Sequence, residues 1–204
     1  IGWVMGIISA TPYLYWRRMH AIHHKTSGHL DRRGTGDITT LTVKEYINSS
    51  RMQRFKYRLY RNPLVMLGVG PTFMLVKHRW PGQAVSGRKD EMLNILLTDL
   101  ALIAIIIVGP LIIGLGEFFM IWIPIMLISG TIGVGLFYVQ HQFEDAYWRS
   151  GPDWKYTSAA VVGSSYFQLP KILQWFTGNI GFHHVHHLSP KIPNYELARC
   201  HHEN

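Results

Sequence analysis

Two long apolar runs in the second half of the chain constrain its fold most strongly. Residues 95–115 form a run of 21 with Asp99 as the only charge, and residues 118–139 form a run of 22 with no charge. An α-helix of about 20 apolar residues crosses the roughly 30 Å hydrocarbon core of a bilayer. Only Gly116 and Glu117 separate the two runs. We therefore expect a transmembrane hairpin that leaves and returns on the same side.

The positive charges predict how this hairpin is oriented. Residues 17–89 hold 15 Lys and Arg and residues 149–199 hold 5, whereas the hairpin holds none. Because cytoplasmic flanks of membrane helices are enriched in Lys and Arg, both flanking regions are expected on the cytoplasmic face of an integral membrane protein. The net charge of +8 would also suit a nucleic acid, but a hydrophobic content of 48% favours a membrane and no nucleic-acid partner.

Two shorter apolar stretches precede the hairpin. Residues 1–16 are expected to be the last part of a transmembrane helix with an aromatic belt at its end, and the alternative is a buried helix of a soluble protein. Residues 64–76 are too short to span and are interrupted by Gly and Pro, which predicts an interfacial or re-entrant segment. Between them, Thr42 and Glu45 have the spacing of a helix capping box.

The 12 histidines are concentrated in two similar patterns. The first is His20-x-x-His23-His24, and the second is the run from His183 to His187, interrupted only by Val185. On a helix, each pattern places three imidazoles within about 100° of arc. Neutral imidazole is the commonest metal ligand, and two such trios exceed the four ligands of a single zinc. The pattern predicts a polyhistidine site for two metals. Its alternative is a pair of interfacial histidine clusters without metal.

Cys200 is the only cysteine in the chain. An intramolecular disulfide and a cysteine metal site are therefore both excluded for these residues.

These motifs resemble the histidine boxes of the membrane fatty acid desaturases. His20-x-x-His23-His24, followed by Leu30-Asp31-Arg32-Arg33-Gly34, is similar to the second box of that family, and the stretch from Gly178 to Leu188 is similar to the third. Gln140-His141 resembles the extra histidine of plant and bacterial acyl-lipid desaturases. The resemblance covers essentially the whole chain in the right order. It implies a single desaturase domain over residues 1–204, with the first box expected upstream of residue 1.

The resemblance implies a fold, a site and a set of partners. The fold is all-α, with polytopic transmembrane helices and a cytoplasmic histidine-rich helical cap. The site holds two non-haem iron ions and uses dioxygen to introduce a double bond into a fatty acyl chain, either an acyl-lipid or an acyl thioester. Electrons come from a ferredoxin or a small haem carrier, with NAD(P)H upstream. The implied iron ligands are His20, His23, His24, His141, His183, His186 and His187.

Other functions remain open at this point. Imidazoles alone do not select iron over zinc, copper or nickel. A di-iron hydroxylase or ketolase would share the scaffold and the boxes. A membrane metal-binding or transport protein would instead need polar residues inside the helices, where only four occur: Thr98, Asp99, Ser129 and Thr131.

Several other polar residues have two interpretations each. Asp31 and Asp37 could orient imidazoles as hydrogen-bond acceptors, and an ion pair with Arg32 and Arg33 is the alternative for Asp31. Glu144 and Asp145, just after His141, are similar candidates.

The remaining candidates lie next to the boxes or outside them. Asn179 could reach a metal, or could serve as a helix cap or make a plain polar contact. His141 could be a simple interfacial histidine, and His184 is expected to lie beside the ligands without binding. The other four histidines are predicted at the surface or the membrane interface: His29, His78, His201 and His202.

The basic stretch 51–61 could attract anionic headgroups or an acidic electron carrier, or could simply be a solvated face.

Overall fold

The computed structural model describes residues 1–80 and 82–204, and within these residues the protein is all-helical without a β-strand. This confirms the all-α fold class. In chain order the helices are α1 (Gly2–Ile8), α2 (Tyr13–Thr26), α3 (Val43–Asn48), α4 (Arg51–Tyr60), α5 (Pro63–Gly68), α6 (Gly70–Arg79), α7 (Lys89–Ile113), α8 (Leu115–His141), α9 (Tyr156–Val162), α10 (Lys171–Phe176), α11 (His183–Leu188) and α12 (Leu197–Glu203).

The chain folds into two compact units. The first comprises Ile1–Met19 and Thr42–Gly135, and the second comprises His20–Leu41 and Leu136–Asn204. Helices α2 and α8 each begin in the first unit and end in the second. Both halves of the candidate site described below therefore belong to the second unit.

Helices α7 and α8 are long and apolar enough to cross a membrane. They contain 25 and 27 residues, and at 1.5 Å per residue they are about 37 and about 40 Å long. The turn between them lies at Gly114, not at Gly116 and Glu117 as predicted. Gly114 has a φ of +96°, a conformation that favours glycine, so α7 ends there and the next residues already form the first turn of α8.

Residues 1–16, predicted as the last part of a transmembrane helix, do not form one continuous helix. The chain forms α1 and α2 instead, separated by a break in which Ala10 has a φ of +50°. Pro12 explains the break, because proline has no N–H to donate and disfavours helical geometry in the residue before it. Helix α2 then continues without interruption through His20, His23 and His24.

The stretch 64–76 forms two short helices, α5 and α6, with a break at Val69. Neither is long enough to span a bilayer. The capping box predicted at Thr42 and Glu45 is confirmed: the Glu45 N–H donates to Thr42 Oγ1 at 3.2 Å, and the Thr42 N–H donates to Glu45 Oε2 at 2.7 Å.

Within the first unit, polar contacts fix the beginning of α2 against the beginning of α7. The Arg18 guanidinium donates to both carboxylate oxygens of Glu91, from Nε at 2.6 Å and from Nη2 at 2.8 Å. The Leu14 N–H donates to Oδ1 of the buried Asn94 at 2.8 Å. The first turns of α2 are therefore held in place before the helix reaches its histidines.

Within the second unit, α11 packs against α9 and α12 over a core of Phe182, Val185 and Leu197. The hydroxyl of Tyr156 donates to the carbonyl of His187 at 2.6 Å. The side chain of Gln140 donates to the carbonyl of Ile180 at 3.1 Å. These bonds hold the end of α8 and the third histidine box in the same part of the unit.

Candidate metal centre

All seven predicted ligands lie in the second unit. They come from three helices: the last two turns of α2, the final residue of α8, and the short helix α11. Their ring nitrogens converge in two groups. The first imidazole group contains His20, His24 and His186. The second imidazole group contains His23, His141 and His187, with His183 next to His141.

The first imidazole group forms a compact triangle of Nε2 atoms. His24 lies 3.0 Å from His20 and 3.1 Å from His186, and His20 lies 3.3 Å from His186. A metal about 2.0–2.1 Å from each nitrogen, with angles between octahedral and tetrahedral values, requires separations of about 2.9–3.4 Å. The triangle therefore has the size that a metal needs.

Hydrogen bonding alone does not explain this triangle. Each neutral imidazole nitrogen is either a donor or an acceptor, so three mutually facing Nε2 atoms always leave one repulsive pair. A bound cation removes the conflict because all three nitrogens can then present lone pairs.

The second imidazole group is more deeply buried. His141 Nε2 lies 3.1 Å from His23 Nε2 and 2.9 Å from His183 Nε2. His23 and His187 are each only 1% exposed, and the buried Nε2 of His187 has no hydrogen-bond partner among the described residues. Since a buried nitrogen without a partner is costly, this atom fits a site for a metal ion.

The two groups are neighbours, and each sequence trio is divided between them. The rings of His24 and His187, one from each group, stack with their centroids 4.1 Å apart. On α2, His20 and His24 are one turn apart and serve the first group, whereas His23 serves the second. On α11, the adjacent residues His186 and His187 are divided in the same way.

Burial favours the neutral form of several imidazoles in the site. Desolvation, reinforced by neighbouring imidazoles, lowers the pKa of His20 to about 4 and that of His24 to about 3. The same causes lower the pKa values of His183, His186 and His187. A metal binds the neutral imidazole, so the environment favours the form that can act as a ligand.

A carboxylate orients one of the candidate ligands. Oδ1 of Asp37 lies 2.7 Å from Nδ1 of His23, and the Asp37 side chain is 7% exposed. An acceptor at Nδ1 holds the proton there and leaves the Nε2 lone pair directed at the second group. Asp37 thus makes the contact that the sequence suggested for it.

The other acidic candidates lie away from the imidazole groups. The Asp31 carboxylate accepts a hydrogen bond from the Gly151 N–H at 2.7 Å, and its oxygen lies 4.0 Å from Nδ1 of His29. Among the described residues, it contacts neither a candidate metal ligand nor Arg32 or Arg33. Glu144 and Asp145 are exposed.

The remaining polar candidates divide between the alternatives given above. Asn179 donates from Nδ2 to the carbonyl of Asn194 at 3.0 Å, which is the plain polar contact. His184 lies outside both groups, with its Nε2 at 3.0 Å from Nδ1 of His201.

His29 was predicted at the surface or the membrane interface, and the structure instead buries it within the protein. Its side chain is buried, and its ring lies against Trp154 with a centroid distance of 5.1 Å. The backbone of the loop after α2 pairs at this point with the segment around Arg149.

Two contributors to the site were not identified from the sequence. The ring of Phe137 packs 5.3 Å from His23 and 5.1 Å from His141, and Tyr156 fixes the backbone of His187 as described above. Phe137 lies one helical turn before His141, and this spacing was a usable signal. Tyr156 gave none, because its contact joins residues that are 31 apart in the chain.

Over the described residues the chain is all-helical, with two helices that are long and apolar enough to cross a membrane and a buried cluster of histidines. The fatty acid desaturase family is matched over residues 1–204. The chain is a member of the fatty acid desaturase family, which implies an oxidoreductase.

Individual relatives agree with this family. A fatty acid desaturase of Bacillus subtilis (strain 168) is 52% identical over 100% of this chain and 58% of its own length. An sn-1 oleoyl-lipid 12-desaturase of Synechocystis is 26% identical over 97% of this chain and 57% of its own length. An endoplasmic-reticulum omega-3 fatty acid desaturase of Vigna radiata is 23% identical over 98% of this chain and 54% of its own length. The chain spans about half the length of the curated relatives it matches.

Proposed function

We propose that the complete protein introduces a double bond into a fatty acyl chain, with dioxygen as co-substrate, at two iron ions held by histidines. The observation that supports this most directly is the convergence of six imidazoles in two groups of metal-binding size. Family membership supports iron as the metal and a fatty acyl chain as the substrate. Residues 1–204 are proposed to be part of a single desaturase domain.

Each imidazole group is proposed to hold one iron. His20, His24 and His186 would bind the first ion, and His23, His141 and His187 the second, with His183 as the further ligand beside His141. When bound, the iron pair supplies the redox chemistry: two hydrogens leave adjacent carbons of the acyl chain, and dioxygen takes up these hydrogens, two further electrons and two protons to give two waters.

The protein contributes orientation and the exclusion of water. Asp37 holds the proton of His23 at Nδ1 and directs its Nε2 toward the second group. Phe137 covers His23 and His141 with an apolar ring, which limits access of water to their nitrogens. The buried position of His187 has the same effect on the far side of that group.

We propose that the site faces the cytoplasm and that the substrate is an acyl-lipid or an acyl thioester. The positive charges on both sides of the hairpin support the cytoplasmic face, and the name of the Synechocystis relative supports a lipid-bound chain. A ferredoxin or a small haem protein, reduced by NAD(P)H upstream, is proposed as the electron donor.

Expression of the complete protein in a host that lacks the product tests this function. Fatty acid methyl esters should gain a species two hydrogens lighter, only when dioxygen is present. A matched His23→Ala variant should form none, whereas His184→Ala should form some. A product one oxygen heavier would instead indicate a hydroxylase. Iron binding without any altered fatty acid, with a functional electron donor supplied, would indicate a metal-binding protein.

A further inference from the structure

Helix α4 combines a dense positive charge with an apolar ridge. Residues 51–61 contain five Lys or Arg residues and no acidic residue. Within the part of the chain that the structure describes, no carboxylate pairs with Arg51, Arg54, Lys56 or Arg58. Among the described residues, the positive charge of these four side chains is therefore not neutralised by an ion pair.

The apolar residues of α4 lie on one side. Met52, Phe55 and Leu59 fall within about 60° of arc, and they are 61%, 58% and 47% exposed. Arg51 and Arg58 flank this apolar ridge on one side, and Lys56 flanks it on the other. Cations in these positions can extend to a polar layer while their alkyl chains cover apolar surface.

The orientation of α4 is the reverse of that in a water-soluble protein. Tyr57, on the side opposite to the ridge, packs against Tyr46 of α3 with ring centroids 5.9 Å apart. A helix in water normally turns its apolar side to the protein, whereas here the more polar side faces α3 and the ridge faces outward. Among the described residues, nothing covers the ridge.

The neighbouring helices also carry exposed apolar side chains. Val43 and Ile47, one turn apart on α3, are both exposed, and so is Leu64 at the beginning of α5. All of these helices belong to the same compact unit as α7 and as α8 up to Gly135. The unit that contains the two apolar spans therefore also carries the amphipathic helix.

We propose that α4 is a membrane-surface helix that recognises anionic phospholipids, with Met52, Phe55 and Leu59 inserted at the headgroup boundary and the flanking cations bound to phosphate groups. An apolar ridge bordered by Lys and Arg is the arrangement of helices that lie in this layer. An acidic electron carrier would match the charge, but it would leave three exposed apolar side chains without a complement. The geometry therefore favours the lipid surface.

Thiol labelling in bilayers of defined charge tests this assignment. The complete protein, with Cys200 and any other cysteine replaced by Ser, would carry Phe55→Cys on the ridge. Gln53→Cys, which lies on the opposite side of the helix, is the matched control. Each variant is reconstituted in nanodiscs of phosphatidylcholine, with or without phosphatidylglycerol, and treated with a membrane-impermeant maleimide.

We expect phosphatidylglycerol to slow labelling at position 55 much more than at position 53. Removing the flanking charges with Arg51→Gln, Lys56→Gln and Arg58→Gln should abolish the difference between the two lipids. Since each cation contributes about fivefold to binding of an anionic surface, the three together should account for about a hundredfold change in the ratio of rates. The control at position 53 also corrects for the lower thiolate fraction near a negative surface.

Three results would overturn the proposal. Equal rates at positions 55 and 53 in every bilayer would mean that the ridge stays in water. Equal protection at position 55 with and without phosphatidylglycerol would exclude recognition of anionic lipid. Protection that occurs only after an acidic ferredoxin is added would assign the helix to a protein partner. None of these readouts depends on iron or on product formation, so they separate this inference from the proposed enzyme activity.

Discussion

The Nδ1 atom of His23 lies 2.7 Å from Oδ1 of Asp37, and both side chains are almost completely buried. The two residues are 14 apart in the chain, and the loop after α2 returns the carboxylate to the imidazole. This contact leaves Nε2 of His23 as the nitrogen that faces His141.

Replacing Asp37 should therefore weaken the second imidazole group. We expect Asp37→Asn in the complete protein to lower iron affinity or desaturation by about 10- to 100-fold, because an oriented ligand loses its charged acceptor. Elemental analysis and fatty acid profiling at matched protein levels would measure both effects. Asp31→Asn is the matched control, since its carboxylate bonds to the Gly151 N–H outside the site. Equal losses in the two variants would contradict this role of Asp37.

Adjacent histidines of α11 should serve different metals. His186 belongs to the first imidazole group and His187 to the second. His186→Ala should therefore lose the iron of one group, and adding His20→Ala should cause little further loss of iron. Combining His186→Ala with His187→Ala should remove both ions, because residues in one network are not additive whereas separate sites are. Elemental analysis would measure the iron content per chain of each variant. Identical iron contents for the two double variants would contradict the assignment of His186 and His187 to different metals.

The third box should have one dispensable histidine. We expect His187→Ala to abolish product formation, because loss of a direct ligand should cost more than the roughly 10- to 100-fold that is typical of residues behind the ligands. His184→Ala should keep measurable activity, since its Nε2 faces His201 and not a metal group. Product per unit of immunoblotted protein would compare them. Activity in His187→Ala together with none in His184→Ala would show that the assignment of ligands on α11 is wrong.

The orientation of the chain can be measured through Cys200. Arg17 to Lys89 and Arg149 to Arg199 carry all of the Lys and Arg, and Cys200 follows the second region directly. We expect a membrane-impermeant maleimide to label Cys200 only after the cytoplasmic side has been opened. Labelling of intact cells from outside would contradict the proposed orientation. Because Cys200 is half-buried, its labelling in the folded protein can be incomplete. A permeabilised sample that is briefly denatured before labelling therefore provides the reference for complete labelling.

The sequence predicted correctly those features that depend only on residues close together in the chain. The two spans were predicted from apolar length, and the Thr42 capping box was predicted from spacing, because both depend on neighbours in the chain. The apolar pattern of residues 1–16 did not reveal the break between α1 and α2, which Pro12 explains. It also misplaced the turn of the hairpin by two residues, because the φ of Gly114, and not the polarity of Glu117, ends α7.

The sequence by itself determined which residues can act: two histidine trios at helical spacing, a further histidine at the end of a span, and a family resemblance that the whole chain matches. Only the tertiary structure decided how these residues are combined. Helical periodicity places His20, His23 and His24 on one side of α2, but it cannot say which partner each nitrogen meets. Helix α11 packs against α9, and Gln140 bonds to Ile180. These contacts bring His186 to His20 and His24, and His187 to His23 and His141. Those contacts join residues far apart in the chain, and therefore no local pattern encodes them.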